Sequence, residues 1–303
     1  MAVEAASERS GGTLYALLAY GIWGFAPIYW KEVQHFPASE LLAWRVLASF
    51  GVGLAIIVAL RAGRDFAAAL RSPRSALSGA LAGVLLAVNW LVFIWAVQND
   101  LILATSLGYY INPLVNVLFG MLILRERLSR VQALAVGVAT IGVAVQAIEQ
   151  GELPWVALVL AGSFGLYGLV RKVGPAAPLV GFGIETLTLA PLAAAYLAHL
   201  SARGDAAVPA SSAGMQLLIA SSGLVTALPL LAFASAAKRL PLSMLGMFQY
   251  LAPTLAFLLA VGMYGEPFTR GHAVSFGCVW VALALSMWET LSRAPRAGVV
   301  RES

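Results

Sequence analysis

Apolar runs of about 20 residues recur along the whole chain, separated by short polar breaks. Each run is long enough to cross ~30 Å of hydrocarbon at ~1.5 Å per residue. Lipid offers the backbone no hydrogen-bond partners, so a run that crosses it must pair its own amides as a helix. Periodicity and break positions mark ten candidate spans, at 12–30, 37–60, 76–97, 101–124, 130–148, 153–171, 179–199, 213–237, 241–263 and 271–290. Only 11% of residues are charged, against ~25% in a soluble domain that must cover its surface. The fold class that follows is an all-α polytopic membrane protein. Short connections predict that consecutive spans pack antiparallel.

The cations give the orientation. With the N-terminus in the cytoplasm, the inside segments hold Arg9, Arg61, Arg64, Arg71, Arg74, Arg125, Arg127, Arg130, Arg171, Lys172, Lys238, Arg239, Arg293, Arg296 and Arg301. The outside segments hold only Lys31, Arg203 and Arg270, and Arg45 lies within a span. Inserted helices keep Lys and Arg on the cytoplasmic side, so the sequence predicts N-in, C-in and an even number of spans. The net charge of +5 sits in these clusters as a topology signal and gives no nucleic-acid surface. The first apolar run follows a polar start and lasts a full span, unlike a cleaved signal peptide. Cys278, the single cysteine, permits no internal disulfide and no thiolate cluster.

The chain resembles itself at an offset of 140 residues, which sets Tyr110 on Tyr250, Pro113 on Pro253, Glu126 on Glu266 and Arg130 on Arg270. This divides it into a cytoplasmic tail (1–11), a first five-helix repeat (12–148), a second (153–290) and a cytoplasmic C-terminal tail (291–303). An odd number of spans per repeat makes the second enter the membrane inverted, a construction suited to alternating access.

Three charges fall at membrane depth: Glu40 and Arg45 in the second span and Glu185 in the seventh. Each costs ~2.5–3.5 kcal/mol unless it faces a partner or a cavity. Glu40 and Arg45 are five residues and about 140° apart on a helix, poorly placed to pair. A partner on another helix, with Glu185 a candidate for Arg45, is the expected arrangement. Glu185, then Glu40, are the proton-coupling candidates; the alternatives are a structural ion pair or an interfacial charge. Glu126 and Glu266 are expected to fix helix ends.

Pro27, Pro113 and Pro253 each remove a backbone hydrogen bond, so discontinuities are expected there. Asn89, Trp90, Tyr110, Asn112, Tyr167, Gln249 and Tyr250 combine aromatic bodies with sparse polar groups, the composition of a small-molecule pocket; packing amides and interfacial aromatics look the same in sequence. Trp30 and Lys31 suit the interface. Gly79 and Gly83 form a GxxxG pattern that allows close helix approach. No HExxH, Walker A or nucleophile-elbow pattern is present, and His35, His199 and His272 lie near helix ends. We therefore expect no enzyme activity, no cofactor and no metal.

Several runs, among them GIWGFAPIYWK (21–31), SELLAWRVLASF (39–50), NWLVFIWAV (89–97), SLGYYINPLVNVLFGMLILRERL (106–128), GIETLTLAPLAA (183–194) and FQYLAPTLAFLLAVGMYGE (248–266), resemble the EamA family of the drug/metabolite transporter superfamily, its RarD subgroup in particular. The resemblance implies two EamA-like repeats in an inner membrane, with spans one to four and six to nine around a central cavity. Where members near this subgroup carry His before the Arg of span two, this chain has Trp44, so no role of that His carries over.

The function expected is secondary active transport of a small organic solute (metabolite, amino acid or drug, with export the expected direction) around a midplane cavity. Its binding candidates are Tyr110, Asn112, Tyr250, Glu185, Arg45, Asn89, Trp90, Tyr167 and Gln249. The partners expected are the solute and the bilayer; a homodimer is admissible but not demanded. The competing class is a membrane sensor or assembly protein without transport. A polar pocket walled by both halves favours the carrier, and a dry seam favours its rival.

Overall fold

The computed structural model describes residues 2–99, 102–150, 155–263 and 270–292. Among them are twelve helices and no strand: α1 (Ala2–Glu32), α2 (Ala38–Ala59), α3 (Gly63–Arg71), α4 (Pro73–Gln98), α5 (Ile102–Leu122), α6 (Arg130–Gln150), α7 (Trp155–Val173), α8 (Pro178–Arg203), α9 (Ala213–Arg239), α10 (Leu242–Gln249), α11 (Leu251–Gly262) and α12 (Arg270–Ser292). Every run read as a span coincides with helix. Among the described residues six segments are long and apolar enough to cross a membrane, at 38–59, 73–96, 155–173, 178–203, 213–239 and 242–259, and three shorter apolar stretches accompany them in α5, α6 and α12. The chain is a multi-pass membrane protein.

Local chemistry sets several ends. Ser129 and Gln132 form a reciprocal capping box at the start of α6, with Gln132 N donating to Ser129 Oγ at 3.1 Å and Ser129 N to Gln132 Oε1 at 3.0 Å. Gly204 closes α8 at φ 74°, a left-handed cap that glycine adopts without a Cβ penalty. Pro253 coincides with a real break: its missing N–H cannot bond the Gln249 carbonyl, and the run 241–263 divides at Tyr250 into α10 and α11. Pro27 and Pro113 lie inside α1 and α5, which run on through them. Losing one bond leaves the remaining ladder of a long helix intact.

Two further departures concern segments between the spans. The helix of α1 already begins at Ala2, within the polar tail. The break at 61–74 contains α3, a short helix with no buried residue, bearing Arg64, Asp65 and Arg71; its Phe66 ring lies over Gly183 of α8. The periodicity of one short turn-rich stretch was too brief to signal it.

Packing runs between the halves of the chain. α1 packs on α9 and α11, α2 on α8 and α9, α4 on α7 and α8, α5 on α7 and α10, and α6 on α12. Consecutive helices touch far less, which corrects the antiparallel-neighbour expectation: short loops fix direction, but the small-residue faces fit across the halves. Gly79 and Gly83 show this, for a Cβ added to them would lie 2.5 Å from Ile184 Cγ2 and 3.0 Å from the Glu185 carbonyl oxygen of α8.

The bundle has two distinct ends. At one, the basic end, Lys172 donates to the carbonyls of Ala237 (3.2 Å) and Leu240 (2.5 Å), closing α9, while Lys238 donates to those of Lys172 (3.2 Å) and Gly174, closing α7. Glu126 joins them there, accepting from the amides of Leu242 (2.7 Å) and Ser243 (2.9 Å) and from Ser243 Oγ (2.7 Å). It fixes the start of α10, in the other half of the chain; Glu266 lies outside the described residues. At the opposite end, buried Glu40 accepts from the amides of Ala207 (3.0 Å) and Val208 (2.9 Å), pinning the 204–212 connection.

Candidate functional site

The site is built where α1, α2, α4, α7, α8 and α9 approach the centre. On the basic side the seam is filled by aromatic rings. Tyr20 and Trp23 of α1, Phe164 and Tyr167 of α7, and Phe233 of α9 pack at centroid separations of 5.3–6.2 Å, with Tyr167 and Phe233 stacked at 18°. Tyr20, Tyr167 and Phe233 have no exposed surface. The Tyr20 hydroxyl donates to the Leu245 carbonyl at 3.2 Å, tying this plug to α10.

Beside the plug sits Glu185, 1% exposed. Arg171 Nη1 approaches its Oε1 at 3.0 Å, and the Tyr167 hydroxyl donates to Oε2 at 3.4 Å. The ion pair is close but misaligned, since Oε1 has no hydrogen-bond partner of acceptable geometry and Arg171 Nε is likewise unsatisfied. Arg171 Nη2 donates instead to the Pro178 carbonyl at 2.8 Å. Tyr167 and Arg171 are four residues apart, one above the other on α7, and both face α8. The partner of Glu185 is therefore Arg171 and not Arg45. In sequence Arg171 reads as a topology cation because it closes a span; its spacing of four residues from Tyr167 is the signal that sets both on one face of α7.

Arg45 has a different setting, nearer the Glu40 end. Its Nε donates to Thr226 Oγ1 of α9 at 2.7 Å. The guanidinium lies over the rings of Trp30 (5.1 Å) and Trp90 (4.4 Å), within electrostatic reach of the Tyr29 and Tyr109 hydroxyls. Groups on α1, α4 and α9 thus contact it. Arg45, Trp30 and Trp90 stay half-buried and Tyr109 is 50% exposed. Trp30, read as an interfacial aromatic, belongs to this cluster.

Between the two charges is a small void walled by both halves of the chain. Val46, Ser49, Leu86 and Trp90 come from the first half; Phe182, Glu185, Thr186, Leu189, Thr226 and Leu230 come from the second. A water-sized sphere can move through ≈ 10 Å³ of it, room for about one water.

The other candidates lie elsewhere. Asn89 donates to the Leu160 carbonyl (2.9 Å) and Ser163 Oγ (3.0 Å), joining α4 to α7. Asn116 donates to Gln249 Oε1 (2.9 Å) and Asn112 Oδ1 (3.3 Å), a buried amide cluster between α5 and α10. Tyr250 donates to the Tyr110 carbonyl at 3.1 Å, and both rings pack in a separate core with α6 and α12. Tyr110, Asn112, Gln249 and Tyr250 thus hold the seam between α5 and α10–α11 and do not line the void. Glu40 is a loop anchor at the bundle's end. The described residues hold no cluster of metal-ligating side chains.

Comparison with known proteins gives this arrangement a family. The sequence pattern of the EamA-like transporter family matches residues 10–147. Protein RarD of Escherichia coli is 44% identical over 286 residues, 94% of this chain and 97% of its own. An uncharacterized transporter of Bacillus subtilis, YojE, is 42% identical over 92% of this chain and 94% of its own. The chloramphenicol-sensitive protein RarD of Pseudomonas aeruginosa is 30% identical over 95% and 98% respectively. A solved crystal structure at 19% identity superposes with a TM-score of 0.70 over 92% of this chain and 98% of that one, which shows the same fold. Relatives from Bacillus subtilis, Vibrio cholerae and Pseudomonas aeruginosa are named as transporters. With nearly its whole length matched at these identities, the chain belongs to the EamA-like transporter family, alongside the RarD proteins.

Proposed function

We propose that the chain is a secondary carrier that moves a small organic solute by rocking its two halves about the void between Arg45 and Glu185. The observation that carries this reading is the void itself: side chains from both halves wall it, Glu185 and Thr226 among them, an aromatic plug lies on the basic side, and the half-buried Arg45 cluster borders it on the other. A dry, uniformly packed seam would have favoured a non-transporting protein.

Ten spans in a 5+5 inverted repeat, N-in and C-in, complete the reading. Its support is the packing map, whose main contacts correspond when the halves are exchanged: α1 on α9 corresponds to α7 on α4, and α1 on α11 to α7 on α5. The basic end then faces the cytoplasm of an inner membrane. Glu185, the titratable group beside the plug, is the proposed coupling site, and export by exchange with protons is the proposed direction. Glu40 keeps only its anchoring role in this reading.

The test is flux in proteoliposomes for a panel of amino acids, organic acids and neutral drugs, with and without a pH gradient, for the wild type and Glu185→Gln. Gradient-dependent flux lost in the variant is expected. Absence of flux for every solute class overturns the carrier; gradient-independent flux that survives Glu185→Gln removes the coupling role.

A further inference from the structure

The carrier reading leaves the solute's chemistry open, and the Arg45 cluster narrows it. Among the described residues no carboxylate contacts Arg45; its protein partners are a neutral hydroxyl and two indole faces. Nε is taken by Thr226, while neither Nη appears among the buried atoms lacking partners, so the two Nη groups retain accessible surface. They form the outer edge of the guanidinium fork, the edge that matches two oxygens of a carboxylate. A cation held at membrane depth without an anion is costly, and here the indole faces and the Thr226 oxygen hold the plane in position while leaving its charge uncompensated. The contrast with Arg171 is direct, since that guanidinium has its own carboxylate in Glu185.

Resting on the carrier reading for its place on the solute path, we infer that Arg45 is the recognition point for a carboxylate of the transported solute, received end-on by its two Nη groups and flanked by Trp30, Trp90 and Tyr109. The half-exposed Tyr109 ring, edge-on to Phe93 at 6.2 Å, offers an apolar face to the body of such a solute. Thr226 is a positioning residue. Trp90 and Thr226 also line the void, so a carboxylate on Arg45 stands at its mouth.

Thermal stability of the purified full-length protein in detergent, with matched acid and amide probes, tests this directly. Phenylacetate against phenylacetamide and L-phenylalanine against L-phenylalaninamide are suitable pairs, backed by short aliphatic acids and their amides. At least one acid is expected to raise Tm where its amide does not. Arg45→Gln should weaken that acid by roughly 10- to 100-fold, the loss of hydrogen bonds to a charged group. Thr226→Val, which keeps the charge and frees Nε, should weaken it less and serves if Arg45→Gln does not fold. No acid preference in the wild type overturns the inference, as does an acid preference undiminished in both variants. Flux separates it from the carrier reading. Transport of neutral solutes indifferent to Arg45 overturns the carboxylate site alone; an Arg45-dependent acid preference in a protein without flux supports the site and overturns the carrier.

Discussion

Arg45 and Glu185 are 140 residues apart, and their surroundings are opposite. Glu185 sits beside a closed aromatic plug, 1% exposed, with Arg171 and Tyr167 as partners. Arg45 is half-buried and, among the described residues, meets a hydroxyl and two indoles. One charge therefore has an opposite charge beside it within the protein, and the other has none among the described residues. The difference is one of environment: the basic end is held together by polar groups that find partners within the protein, and the other end presents a charge whose partner must come from outside it.

Substitutions should expose this asymmetry. The largest loss of stability is expected for Arg171→Met, which strands Glu185 buried and unpaired, at about 3–5 kcal/mol in reversible detergent unfolding. The double variant Arg171→Met/Glu185→Met should recover most of it, because a buried pair contributes little beyond an apolar replacement. Glu126→Ala, which leaves two amides and a hydroxyl of α10 without their acceptor, should cost about 2–3 kcal/mol and increase thiol labelling of a cysteine placed at Tyr20. Gly83→Val pushes side-chain atoms against the Glu185 backbone and should cost about 1–3 kcal/mol. The smallest change is expected for Arg45→Gln, under about 1 kcal/mol, although the same substitution should remove acid recognition. A loss at Arg45 as large as that at Arg171 would erase the comparison.

The sequence carried what depends on local pattern. Apolar run lengths located the helices, Gly79 and Gly83 marked a close approach that the structure contains, and the depth of Arg45 and Glu185 singled out both charges. Pro253 coincides with the division between α10 and α11, whereas α5 runs on through Pro113. Partners were not legible. Nothing local joins Arg171 to Glu185, Arg45 to Thr226, or Glu126 to the start of α10, since each contact spans helices that tertiary packing brings together. Tyr110 and Tyr250 illustrate the same limit: aromatic residues at related positions suit a pocket or a seam equally, and the fold assigns them to the seam.

Alternating access at the two ends is the central claim, and reciprocal thiol labelling tests it most directly. Single cysteines replace Tyr109 and Phe233 in a Cys278→Ser background, in sealed vesicles of each orientation, with an impermeant maleimide. At rest, the cysteine at Tyr109 should react from the Glu40 side and the one at Phe233 from neither. Adding the solute with the highest measured flux should lower the first rate and raise the second from the basic side. Rates at both positions that do not change with solute would contradict the account.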